Sequence, residues 1–475
     1  MNAPAVPWRV AIVGAGFTGS LLAVHLMRAA ATPVEIHLIE RRPVPGPGLA
    51  YSTGDDSHLL NVRAHNMSAF PEDPPHFQRW LWSLRGSAAG PSSGNAFASR
   101  TTYGAYIVDV LEQARRAAPP HVALHVHNAE VHGIVPTAAG VRLTLDGADT
   151  GTEVLDADAA VLCTGHFPPS PPAMASAEAY DSPHYIGDPW NHAAIAGIDA
   201  DAPVVILGTG LTMVDTVLTL DGNGHRGPIV ALSRNGRLPH VHEETRPFAS
   251  AIDPAALPST VRGLLAALRA DAARAEAEGA GWRSAFDALR PHHHRLWQAL
   301  DESERRRFLR HGRGLWDVHR HRMAPRVAAR IESLREAGRL EVRSGRLLGL
   351  VAAERGLRIT VAPRSGEAPW SLVGTLINST GPQCDYARIR HPLVRALLGQ
   401  GLARPDPLRL GLDVTADGAL VGADGRPSDR LFAVGPLARA PYWEMLAVPE
   451  LRTRCAEAGR ELAERAERAA RGRPR

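Results

Sequence analysis

Residues 10–19 read VAIVGAGFTG, and this stretch decides the fold. Val10–Val13 is apolar and has the length of a buried strand. Gly14, Gly16 and Gly19 follow in G-x-G-x-x-G spacing, and Leu21, Leu22, His25 and Leu26 then recur at helical spacing. In such a turn the first glycine makes the bend, the second lets backbone approach a pyrophosphate, and the third lets helix and strand pack closely. The helix start offers unpaired N–H groups and a partial positive charge to phosphate. Val34–Ile39 reads as the next strand, and Glu40 closes it where a carboxylate can accept from ribose hydroxyls. A glycine pattern alone would fit a turn in any α/β fold. Strand, glycines, helix, strand and terminal acid in this order predict a dinucleotide-binding βαβ unit.

The pattern returns near mid-chain. Val204–Leu207 is a second buried strand, Gly208-Thr209-Gly210 a second turn, Leu211–Leu220 a helix, and Ile229–Leu232 the following strand. Met213 stands where the third glycine would be, which predicts a slightly wider separation of helix and strand. This unit ends in Ser233-Arg234, with Arg237 close by. A hydroxyl and a guanidinium there suit a 2′-phosphate, so NADPH is favoured, with NADH left open. Two dinucleotide units in one chain suggest a flavin and a nicotinamide. VLCTGHFPP and INSTGP each run a strand into Thr-Gly, at the carboxyl ends of strands where open α/β sheets bind ligands.

Between these landmarks, residues 41–53 read as a Pro/Gly-rich loop and FQRWLWSL as a helix. Ser87–Ser99 reads as a small-residue linker and Tyr103–Ala118 as a helix. His121–His127, Val141–Leu145, Thr152–Leu155 and Ala159–Cys163 read as strands, with turns at Gly140 and Gly147. Residues of about 250–336 are rich in Ala, Leu and Arg and read as a helical insertion. Leu340–Val361, Leu376–Ser379 and Leu431–Val434 return to strands, and Pro449–Ala469 is a charged helix. The expected fold is α/β, with two Rossmann-like dinucleotide-binding domains and a helical insertion. Residues 1–200 and 376–475 would form the first domain and 201–375 the second.

The 475 residues carry 53 Lys and Arg against 49 Asp and Glu, a net charge of +4. The bases are mostly arginines scattered among acids, which gives no footprint for nucleic acid. No apolar run is long enough to span a membrane, and MNAPAVPWRV lacks the pattern of a secretion signal, so a cytoplasmic protein is expected. Cys163, Cys384 and Cys455 form no C-x-x-C pair, which argues against a disulfide framework, a zinc ribbon or a dithiol that exchanges with flavin. His292–His294 form a run, and His319 and His321 flank Arg320. Spacing of i, i+2 does not put two imidazoles on one helical face, so no metal site is expected. His319, Arg320 and Arg322 are candidates for holding an acidic substrate or NADPH phosphates.

The motifs GAGFTG, HLLNVRAHNMSAF, LCTGHFP, ILGTGLTMVD, LSRNGRLP, WDVHRHRMAP, INSTGP and GPLARAPYWEMLAVPELR together resemble those of two-dinucleotide flavoproteins. The chain is similar to glutathione-reductase-like oxidoreductases. It is closer to flavin-containing and N-hydroxylating monooxygenases, and most like the bacterial FAD/NAD(P)-binding proteins called YdhS-like. The resemblance implies a glutathione-reductase-like architecture. Gly14, Gly16, Phe17, Thr18 and Gly19 would hold the FAD pyrophosphate, Glu40 its ribose, and the Val131 backbone its adenine. Asn61 and Met67 would lie near the isoalloxazine, Thr164 and Gly165 would close over FAD, and Gly435 and Val448 would approach the ribityl chain and flavin. Many reductases place an aspartate where this chain has Pro436, which donates nothing to a ribityl hydroxyl. Gly208, Thr209, Gly210, Leu211, Thr212, Ser233 and Arg234 would hold NADPH. Trp443 and Glu444 would border the flavin and, with Asn61, His319 and Arg320, are the catalytic candidates. The implied activity is an FAD-dependent NAD(P)H oxidoreductase of monooxygenase type, oxidising a small molecule with oxygen as acceptor. A reductase or dehydrogenase with a small organic acceptor, or a non-catalytic flavin-binding sensor or scaffold, is the alternative. Self-association as a homo-oligomer is left open.

Overall fold

The computed structural model describes residues 6–85, 96–147 and 151–472. Its strands, in chain order, are β1 (Trp8–Val13), β2 (Val34–Glu40), β3 (Val122–Pro136), β4 (Val141–Gly147), β5 (Gly151–Ala157), β6 (Ala159–Leu162) and β7 (Tyr185–Ile186). They continue with β8 (Val204–Leu207), β9 (Ile229–Ser233), β10 (Leu340–Ala353), β11 (Gly356–Pro363), β12 (Trp370–Asn378), β13 (Ala419–Val421) and β14 (Pro427–Ala433). The chain divides into two compact units. One comprises residues 1–54, 62–166 and 384–475, and the other residues 55–61 and 167–383. The boundaries expected at 200 and 376 therefore fall inside the second unit. The cause is strand pairing: β7 pairs with β12, and Phe167 bridges to Gln383, which draws residues 167–200 and 376–383 into the second sheet.

In the first unit the sheet order is β13-β14-β6-β1-β2-β3-β4-β5. From β14 to β3 neighbouring strands are parallel. This is the doubly wound order, with a switch point between β1 and β6. β6, β1 apart from Arg9, and the Leu38–Glu40 end of β2 are buried, as parallel strands covered on both faces must be. Helix Phe17–Ala29 is buried along nearly its whole length and packs against the C-terminal helix Val448–Gly472. The alternation read at His121–His127 covers only half of β3. The strand runs parallel to β2 as far as Asn128, passes a bulge at Val131/Gly133, and pairs antiparallel with β4 up to Pro136. Helix Arg100–Arg116 begins earlier than its apolar pattern suggests because the Ser99 hydroxyl caps it, accepting from the Thr102 N–H. Residues 87–95 of the expected linker, and residues 148–150 of the turn after Gly147, lie outside the described residues.

The second unit repeats the scheme with order β11-β10-β9-β8-β12-β7. β10 and β12 each serve twice, pairing parallel in the central sheet at one end and antiparallel with β11 at the other. β12 thus starts at Trp370, ahead of the short apolar run that marked it. Val205, Leu207, Val230, Leu232, Leu350, Ile359 and Leu376 form the core between these layers. The insertion is helical as expected, with helices Val261–Ala277, Trp282–Ala288, His293–Ala299, Glu302–Arg307, Arg313–Arg320 and Pro325–Glu336. Ile252, Leu268, Phe286 and Leu289 form its own small core.

Candidate functional site

In the first turn each glycine sits against backbone. A Cβ on Gly14, which has φ +95°, would lie 2.6 Å from the Cys163 carbonyl oxygen, so this turn rests on the end of the neighbouring strand β6. A Cβ on Gly19 would fall on the Gly14 carbonyl oxygen and 3.2 Å from Ile12 Cγ2, which brings helix and strand together. At Gly16 the close neighbour is the loop after β2: a Cβ there would lie 3.2 Å from Gly48 Cα. The Gly46 N–H also donates to the Ala15 carbonyl, 2.7 Å. Gly16 therefore lies close against a backbone crossing within the protein, a contact its spacing alone did not reveal. Glu40 is buried. One carboxylate oxygen accepts from the Ala15 N–H at 2.8 Å and the other from the Arg42 N–H at 3.1 Å. It fixes the glycine turn and keeps lone pairs for a further donor.

Phe17 and Thr18 open the helix whose N-cap, Gly16, supplies no side-chain cap, so the first N–H groups are left for an anion. A Cβ on Gly435, which has φ +101°, would lie 3.1 Å from the Thr18 side chain, and Pro436 begins a single tight turn after it. Gly165, at φ +69°, faces open space. Thr164 takes a hydrogen bond with the buried Tyr386 hydroxyl, whose pKa burial pushes up. Met67 is buried at the end of a short 3-10 turn, and Val448 is buried at the start of the C-terminal helix. Val131 lies inside β3, opposite Leu145 at the bulge, where the sequence placed it beyond the strand. Trp443 and Glu444 are both buried. Trp443 adopts φ +59°, a left-handed conformation that costs a bulky residue about 1–2 kcal/mol. Arg439 holds it there, with Nε donating to the Trp443 carbonyl at 2.7 Å and the guanidinium 4.2 Å from the ring centroid.

The second turn repeats the first contact. A Cβ on Gly208, at φ +105°, would strike the Ser379 carbonyl at the end of β12, as Gly14 would strike that of Cys163. Gly210 faces open space above the helix of Leu211 and Thr212. Met213 is fully buried beneath it. The Thr209 hydroxyl donates to the Arg237 carbonyl at 2.6 Å and is hydrogen-bonded with the Ser233 hydroxyl at 2.9 Å, while Ser233 Oγ accepts from the Gly236 N–H at 3.0 Å. These two hydroxyls, expected to touch the nucleotide, shape the turn that carries Arg234 and Arg237. The arginines line a cavity of about 660 Å³ together with Arg310, Arg313, Arg364 and Asp317.

The histidine-rich stretch is placed otherwise than expected. His319 donates from Nδ1 to the Leu315 carbonyl at 2.8 Å and packs among Phe286, Trp282 and His240, with ring centroids 4.6–5.3 Å away. Arg322 is 2% exposed and pairs with Asp287 at 3.1 Å, so its charge is spent inside the insertion. Arg320 is half-buried at the end of helix Arg313–Arg320, and none of the three lines the cavity. Asn61 belongs to the second unit, where its carbonyl accepts from His242 Nε2 at 2.9 Å. No group of three or more His, Cys, Asp or Glu among the described residues could hold a metal ion. The three cysteines are free. Cys163 and Cys455 are both buried, and the Cys455 thiol donates to the Thr18 carbonyl at 3.5 Å. Burial pushes Cys163 well above the usual thiol range and Cys455 up to about 12.

Residues 11–167 match a family described as FAD-NAD(P)-binding. No curated protein matches the chain. Among solved structures, the ornithine N-hydroxylase of Kutzneria sp. 744 is 18% identical, with 97% of this chain and 100% of that one aligned at a TM-score of 0.62. The ornithine hydroxylase of Pseudomonas aeruginosa is 15% identical, with 97% and 99% aligned at 0.64. The bacillithiol disulfide reductase of Bacillus cereus is 12% identical, with 97% and 100% aligned at 0.55. What these share with the chain is the two-dinucleotide flavoprotein fold.

The first unit has features that fit an extended dinucleotide. The helix start is uncapped, the acid at the end of β2 is held in place, and Gly165 opens onto free space. Sequence reasoning missed His166 and Tyr386. His166 directly follows the Thr-Gly turn and is exposed. Its place after Thr164-Gly165 was a signal for it, whereas Tyr386 has no sequence signal and arrives by folding alone.

Proposed function

We propose that this chain is an FAD-dependent, NADPH-consuming monooxygenase that oxidises a small molecule. The observation that carries the reading is the repeated contact. Each unit sets a glycine turn on the carboxyl end of a neighbouring strand, at Cys163-Thr164 and at Ser379-Thr380, which gives two dinucleotide sites. FAD is assigned to the first, with Phe17 and Thr18 N–H groups on its pyrophosphate, Glu40 toward its ribose and Thr164, Gly165, Gly435 and Val448 around it. NADPH is assigned to the second, on the helix start at Gly210–Thr212 with Arg234 toward the 2′-phosphate. Bound FAD would supply hydride acceptance from NADPH and passage of electrons to oxygen. Trp443, held by Arg439, and Glu444 would wall that site and exclude water.

Oxygen as acceptor is supported by the state of the thiols. Dithiol exchange needs an accessible thiolate, whereas Cys163 and Cys455 are buried and protonated at neutral pH. The likeness to ornithine hydroxylases supports the same reading. The test is anaerobic mixing of the flavin-loaded protein with NADPH, followed by oxygen and candidate amines, thiols and ketones. The expected result is flavin bleaching by NADPH, then oxygen uptake matched by oxygenated product. Bleaching reversed by a quinone or disulfide but not by oxygen would mark a reductase, and a protein that binds no flavin would end the proposal.

A further inference from the structure

The helical insertion turns a bank of charge toward the end of β9. Arg234 and Arg237 come from the turn after that strand and Arg364 from the segment just after β11. Arg310 and Arg313 come from a single π turn, Phe308–Gly312, and the helix that follows it. π turns recur at functional sites because they widen a helix locally and re-aim its side chains. Five guanidinium groups therefore face one cavity containing one acid, Asp317, whose carboxylate is 3.4 Å from Arg313 Nε. Among the described residues no carboxylate partners Arg234, Arg237 or Arg310. Arg364 donates to the Asn235 side chain, which steadies the β9 turn without neutralising it. Cations brought together this way repel one another unless an anion joins them. Thr380 of the INSTGP turn lines the same cavity, which ties it to the carboxyl end of β12 and hence to the second nucleotide turn.

We propose that this cavity binds the 2′-phosphate of NADPH between two walls, with Arg310 and Arg313 of the insertion opposing Arg234 and Arg237. The insertion is then a specificity device: it adds a second bank of bidentate donors to the one that the βαβ unit already supplies. The inference rests on the NADPH reading above and adds a role for residues that reading does not use. Its test needs no turnover. Binding of 2′,5′-ADP and of 5′-ADP to the full flavin-loaded chain is measured by titration calorimetry at low and high salt. Wild type should bind 2′,5′-ADP far more tightly, with the difference shrinking as salt rises. R310A/R313A should weaken 2′,5′-ADP about ten- to a hundredfold, the range for lost charge-assisted bonds, and leave 5′-ADP unchanged. Unchanged 5′-ADP binding also reports that the variant is folded. R310K/R313K should recover part of the loss, and D317N should bind 2′,5′-ADP more tightly than wild type. A wild type that does not prefer 2′,5′-ADP overturns the NADPH reading and this inference together. A preference abolished by R234A but untouched by R310A/R313A overturns this inference alone.

Discussion

Gly19→Ala, a change of one methyl group, should strip the flavin. The new Cβ would sit on the Gly14 carbonyl oxygen, 3.0 Å from the Gly14 carbonyl carbon and 3.2 Å from Ile12 Cγ2. None of these can swing aside as a long side chain would. The Gly14 peptide is fixed on its other side too, because a Cβ at Gly14 would already meet the Cys163 carbonyl at 2.6 Å and its N–H donates to the Ile39 carbonyl at 2.8 Å. Helix Phe17–Ala29 must therefore move off β1, and it is buried on nearly every face. Overpacking in a core costs about 1–3 kcal/mol, and with backbone on all sides the upper end applies, about 3 kcal/mol. For a unit of this size that corresponds to a fall in Tm of about 6–12 °C. The assay is thermal unfolding read by flavin fluorescence, with bound FAD counted after desalting. Gly210→Ala is the control, since a Cβ there meets nothing within 4 Å. It should keep both FAD and Tm and lose affinity for NADPH. Wild-type Tm and full flavin in Gly19→Ala would refute the reasoning.

Arg234→Ala should weaken NADPH by about 1.5–3 kcal/mol, roughly ten- to a hundredfold in kcat/KM for flavin reduction, and change NADH little. Equal losses with both nucleotides in anaerobic stopped flow would mean that Arg234 only shapes its turn. Cys163→Ser, Cys384→Ser and Cys455→Ser should each leave the rate of flavin reduction by NADPH intact, and a flavin-loaded variant that fails to be reduced would restore thiol chemistry. Acid should destabilise the first unit through His25, which is 7% exposed and whose pKa burial lowers from 6.5 to about 4. The unfolded chain takes up a proton that the native ring refuses, so stability falls between about pH 6.5 and pH 4, by about 3 kcal/mol, and is flat below. His25→Gln should show a shallower fall in urea midpoint over that range, and parallel curves for the two proteins would count against the assignment.

The parts of this protein readable from sequence are those set by backbone sterics within a few residues. Gly14, Gly19 and Gly208 announce themselves because only glycine can pass so close to a carbonyl at that turn, and the strands around them are short, apolar and parallel. What escaped depends on contacts between distant segments. Gly16 looks like a ligand-facing glycine, yet its nearest neighbour is Gly48, across the glycine turn. Thr209 and Ser233 look like nucleotide contacts, yet their hydroxyls bond to each other and to the Arg234–Arg237 turn. The same ambiguity, run in reverse, hid Arg310 and Arg313. A run such as RRRFLRHGR reads as a solvated helix face, because periodicity reports which residues share a face and not what that face meets. Here a π turn breaks the period at Phe308–Gly312 and re-aims the charges, so the sequence pattern fails where the cavity is built. Conversely, Arg322 lies in the motif that drew attention to His319 and Arg320, and folding pairs it with Asp287. A guanidinium's partner, more than its motif, decides whether its charge is available to a ligand. By that criterion Arg234, Arg237 and Arg310, and not Arg322, are the ones to mutate first.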